Sequence, residues 1–155
     1  MSKANWTALD CASQYLGLKE VPGHEANPAI LAMLKLDADW PEDDSVPWCS
    51  GFAAWVAFNM GLTRSNSLRA RSWLRVGTEV SPEKANGNCV VIFSRGRWAP
   101  GPEVIKAPGH VAFFDSVDIE CRSVTVVGGN QGDKVSRKSY PLSRVLGVRK
   151  LARSK

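Results

Sequence analysis

The chain has 155 residues, 44% of them apolar and 23% charged, which is the size and make-up of one ordinary domain with a core of its own. No apolar run approaches the ~20 residues that a bilayer-crossing helix needs. A formal net charge of +5 and a pI of about 9.2 favour polyanions such as nucleic acid, anionic lipid or anionic surface polymers, but the basic tail 149–155 has no interleaved aromatic residues, so nucleic acid is not the expected partner.

The opening Met1-Ser2-Lys3-Ala4-Asn5-Trp6 has no apolar stretch behind its lysine, so it does not read as a secretory signal. The expectation is accumulation in the cytoplasm of the producing cell. Thr7, with Asp10 three positions on, predicts a helix start, and Ala8, Leu9, Cys11, Ala12, Tyr15 and Leu16 form its apolar face up to Gly17. Asn27-Pro28 predicts a second start, followed by Ile30, Leu31, Met33, Leu34 and Leu36. Residues 37–47 form an acidic loop with two prolines. A third helix opens at Val46-Pro47-Trp48-Cys49 and ends at Gly61. It is apolar nearly all round, which predicts a place at the centre of the core. A fourth helix is expected over 67–76, anchored by Trp73 and Leu74.

Strand signals then take over. Apolar or alternating runs at 89–93, 110–115, 123–127, 135–140 and 145–149 predict an antiparallel sheet, with a Gly- and Pro-rich loop over 94–109. Helices first and strands after predict an α+β fold, read as a single domain over 1–155.

Chemistry concentrates at three points. Cys11, Cys49, Cys89 and Cys121 are widely spaced and only His24 and His110 accompany them, so no structural zinc and no metal cofactor is expected, and four free thiols are the default. Cys49 differs from the rest: it stands just inside a helix start, where unpaired N–H groups and the positive helix end favour a thiolate. His110 opens a strand behind Ala107-Pro108-Gly109. Asn130 follows a strand and two glycines, where an amide can fix the tautomer of a histidine.

Four short motifs stand in order: Pro47-Trp48-Cys49-Ser50-Gly51-Phe52, Ala70-Arg71-Ser72-Trp73-Leu74, Gly109-His110-Val111 and Gly128-Gly129-Asn130-Gln131. Together with Glu20 and Pro22-Gly23 they resemble the papain-like CHAP and NlpC-type cell-wall amidase/endopeptidase superfamily, in particular its small phage-associated lysis proteins. The resemblance runs over about residues 7–150. It implies a papain-like fold with N-terminal helices packed on a C-terminal antiparallel sheet. It also implies Cys49 as nucleophile, His110 as base and Asn130 as the orienting residue. Many CHAP proteins carry Glu two positions before that Asn. Here the position is Gly128, which leaves Gln131 or a backbone carbonyl as a substitute.

The function so implied is endolysin-like hydrolysis of an amide bond in the peptide part of peptidoglycan, as stem-peptide endopeptidase or N-acetylmuramoyl-L-alanine amidase. It would act on the periplasmic or extracellular wall after release, as a monomer without cofactor. Glu20, Trp48, Gln131 and Trp73 are the expected substrate-side residues, with Trp98 and the acidic loop as further candidates for the groove. The alternatives are an interbacterial toxin-type amidase, a non-catalytic wall-binding or structural phage protein on the same fold, and a cysteine hydrolase of other amides.

Overall fold

A computed structural model describes residues 6–19, 27–36, 48–96, 99–105 and 107–154. The first two helices start as their capping residues dictate. The Thr7 side chain accepts from the Asp10 N–H at 3.3 Å while the Asp10 carboxylate accepts from the Thr7 N–H at 2.9 Å, a reciprocal box that opens α1 (Ala8–Ser13). The Asn27 side chain accepts from the Ala29 N–H at 2.9 Å and starts α2 (Pro28–Lys35), with Pro28 where no N–H is needed. Helix α3 (Cys49–Asn59) has no side-chain cap. Its residues are buried from Cys49 through Ala54, and again at Val56 and Ala57. Gly51 lets it lie close on α2: a Cβ there would stand 3.2 Å from a Leu34 methyl.

The expected fourth helix is shorter and of another kind. Ala70–Arg75 is a 3-10 helix in which Ala70, Arg71, Trp73 and Leu74 are buried. These fall as the pairs 70/73 and 71/74, spaced by three, so the tighter three-residue turn is the one that stacks them inward.

The strands form one antiparallel sheet in the order β1-β6-β2-β3-β4-β5. They are β1 (Thr78–Glu79), β2 (Cys89–Ser94), β3 (Gly109–Asp118), β4 (Ser123–Gly128), β5 (Ser136–Pro141) and β6 (Val145–Lys150). The two-residue β1 has no sequence pattern to announce it; it is a short exposed edge on β6. Strand β3 outruns its apolar run because a register shift between Phe114 and Ser116 carries it on to Asp118.

Side-chain alternation divides the core. Val90, Ile92, Val111, Phe113 and Val127 face the helices. Cys89, Val91, Phe93, Ala112, Phe114, Val124, Val126, Tyr140 and Val148 face the other way. Phe93 on β2 and Tyr140 on β5 are three strands apart in the order, about 14 Å in a flat sheet. Their rings are 4.6 Å apart, so the sheet curls and encloses this second cluster. No helix among the described residues is long and apolar enough to cross a membrane.

Candidate active site

Cys49 is the first residue of α3 and retains 3% exposure; His110 is the second residue of β3 and retains 2%. Their elements meet where the sheet opens. Strand β4 pairs with β3 only as far as Val127–Phe113, so the first residues of β3 have β2 on one side alone. Past that point the chain turns against α3. A Cβ on Gly129 would lie 2.7 Å from Phe52 Cβ and 2.7 Å from the Trp48 ring, so only glycine permits this approach. The backbone amide of Val111, next to His110, acts on the Cys49 thiol and favours its ionised form.

The hydrogen bonds around His110 fix its tautomer. Gln131 Nε2 donates to the Ser136 carbonyl at 2.7 Å, an oxygen that can only accept, and it also reaches Ser136 Oγ at 3.2 Å. Gln131 Oε1 therefore faces His110 Nε2 at 2.8 Å and must be the acceptor there. The proton sits on Nε2. Nδ1 keeps its lone pair, and this buried nitrogen has no hydrogen-bond partner among the described residues. Phe93 stacks beside the ring at 6.0 Å and Tyr140 at 5.6 Å between centroids.

Burial dominates both ionisations. It pushes the Cys49 thiol above its ordinary value, opposed by the Val111 amide, the charge of Arg95 and the N–H groups of Ser50 and Cys49. The expected thiolate at the helix start is thus outweighed by desolvation. Burial also holds His110 down, to about 4 from 6.5; the Gln131 bond opposes this, and the charges of Arg95, Arg144 and Lys138 add to it. Both shifts favour the neutral forms, thiol at Cys49 and imidazole at His110.

The other sequence candidates sort out by position. Asn130 makes the turn: at φ 58 it takes the left-handed conformation that asparagine tolerates, and the residue after it reaches the histidine. The amide at His110 is that of Gln131, not Asn130. Trp73 and Trp48 are each 0% exposed, so neither presents a face to a substrate. Trp73 Nε1 donates to Ser50 Oγ at 2.8 Å, and Ser50 Oγ donates to the Ser67 carbonyl at 2.6 Å, tying the 3-10 helix to α3. Glu20, Pro22-Gly23, His24, Trp98 and the acidic loop 37–47 lie outside the described residues. Sequence reasoning gave Arg71 no role, yet it is fully buried and its Nε donates to the carbonyl of Pro108, two residues before His110. An arginine inside an otherwise inward-facing motif was the available signal.

The CHAP domain family model matches residues 41–130, more than half of the chain, and takes in both Cys49 and His110. The chain belongs to the CHAP family. Among solved structures, this CHAP domain is similar to NlpC1 from Trichomonas vaginalis, with 13% identity and a TM-score of 0.53 over 94% of this chain and 43% of that one. At such identity the likeness is one of fold, the α+β papain-like arrangement, and the CHAP chain spans less than half the length of NlpC1. No curated protein matches it. Membership in the family supports a hydrolase of the cysteine/amidase type.

Proposed function

We propose that this CHAP domain cleaves an amide bond in the peptide part of peptidoglycan, with Cys49 as nucleophile, His110 as general base and Gln131 as the residue that orients the base. The observation that carries the reading is the lone pair on His110 Nδ1: a buried nitrogen with no hydrogen-bond partner among the described residues, on a ring whose other nitrogen is held by an amide and next to Val111, whose backbone amide acts on the Cys49 thiol. A buried orphan of this kind is costly unless it has a use.

The chemistry follows from the neutral resting forms. Nδ1 takes the thiol proton as Cys49 Sγ attacks the amide carbonyl, so the ion pair forms during attack and not before it. Gln131 Oε1 accepts from Nε2–H throughout and steadies the imidazolium. The Cys49 backbone N–H, in the uncapped first turn of α3, is the oxyanion donor. The imidazolium then protonates the leaving amine, and water activated by the regenerated base hydrolyses the thioester. Asn130 serves by shaping the turn that delivers Gln131.

The biological setting we favour is endolysin-like wall degradation. Incubation with purified peptidoglycan, followed by mass spectrometry of the soluble fragments, tests the activity. The expected result is release of peptides with a new amine terminus, either free stem peptides or cut stems, by the native chain and none by Cys49→Ala. Fragments identical for the two proteins would refute the assignment.

A further inference from the structure

We propose that Arg71 is a positioning residue for the base: its buried guanidinium gathers the carbonyls of the loop that feeds β3 and so sets where His110 stands. The inference rests on the proposed role of His110, and it concerns a residue that makes no contact with the reacting atoms.

The loop needs such a device. Pro100, Pro102 and Pro108 have no N–H, so the segment before β3 is rich in carbonyls and poor in donors. Its own backbone bonds are long: Val104 N–H to Gly101 O and Ala107 N–H to Val104 O, both at 3.3 Å. Arg71 supplies what is missing. Its Nε donates to the Pro108 carbonyl at 3.0 Å, and its Nη1 donates to the carbonyls of Gly101 at 2.6 Å and Val104 at 3.3 Å. Three carbonyls, spread over eight residues of loop, converge on one planar fork whose geometry lysine cannot reproduce.

The last of these carbonyls is two residues from His110, and the intervening residue touches the arginine. A Cβ on Gly109 would stand 2.9 Å from Arg71 Cγ and 3.0 Å from the Phe93 carbonyl. Glycine is what lets the strand start lie directly on the arginine stem. Arg71 is 0% exposed, and among the described residues it forms no ion pair and its Nη2 has no hydrogen-bond partner. A buried cation held by loop carbonyls is a costly choice for fold stability alone, since an apolar side chain would fill the space without desolvating a charge. The arrangement does give the loop a fixed geometry.

The test uses the full chain with His24→Gln, which leaves His110 as the sole histidine, and follows the imidazole protons by NMR through a pH titration. The reference protein should titrate near 4. Arg71→Lys keeps charge and stem but loses the fork. It should move the titration toward 6.5 as the ring loosens and meets water, and lower kcat on the order of 100-fold with KM within about two-fold. Gly109→Ala, which separates the same surfaces while leaving Arg71 in place, should shift the titration in the same direction and covers the case in which Arg71→Lys fails to fold. The proposal is overturned if a folded variant keeps both the titration and kcat and loses only thermal stability. The two readings fail separately. A titration shift in a chain that never cuts peptidoglycan upholds Arg71 and removes the proposed function; unchanged titration with normal wall cleavage does the reverse.

Discussion

The two halves of the site are held in different ways. Cys49 is fixed by packing: it begins a helix whose first six residues are all buried, with the buried Trp48 just before it and Gly129 pressed on Trp48 and Phe52. His110 is fixed by hydrogen bonds from irregular chain: Gln131, past the end of β4, holds the ring, and Arg71, in a 3-10 turn, holds the loop before the strand. Packing resists deformation in every direction but is insensitive to chemistry. Hydrogen bonds select one tautomer and one ring orientation, which is what a base requires and a nucleophile does not.

Three experiments break or sharpen that contrast. The largest effect expected is on the pH dependence of stability. His110 has a folded-state pKa of about 4 against 6.5 when unexposed to the fold, so the unfolded chain binds the extra proton first. The stabilisation is complete above 6.5 and is lost as pH falls to about 4, amounting to about 3 kcal/mol. Urea unfolding between pH 7 and 4 should show this loss in the native chain and not in His110→Gln. Next, Gln131→Ala should reduce kcat on the order of 100-fold, because the base keeps its place but not its orientation. Steady-state kinetics on soluble muropeptides measures that, and an unchanged kcat would return the orienting role to Asn130 or a carbonyl. The smallest effect belongs to the packed half. Gly129→Ala forces a Cβ onto Phe52 and Trp48 and should cost about 1–3 kcal/mol in thermal unfolding. Its activity per folded molecule should change less than that of Gln131→Ala.

The same contrast explains what could be read before any coordinates. Helix starts at Thr7 and Asn27 and the burial of α3 rest on local capping and on apolar pattern, and both were legible. The fourth helix was legible as a helix over 67–76 but not as a 3-10 turn at Ala70–Arg75, because spacings of three and four are hard to tell apart over six residues. Cys49 and His110 were legible as candidates for nucleophile and base because motif order survives in the chain. Asn130 and Gln131 could not be told apart: which of two adjacent amides reaches the ring depends on a single left-handed φ at the first. Trp48 and Trp73 looked like substrate walls because an aromatic beside a reactive residue serves a groove and a core equally well. Desolvation of the thiol was invisible too, since burial is a property of the assembled fold.

The central claim is that the Cys49 sulfur forms the covalent bond and that His110 makes it do so. Digestion of purified peptidoglycan, quenched in acid within the first turnovers and mapped by peptide mass spectrometry, tests it directly. The account predicts a thioester-linked fragment on the peptide containing Cys49, absent from His110→Ala. Wall cleavage with no adduct at Cys49, or with the adduct on Cys11, Cys89 or Cys121, would contradict it.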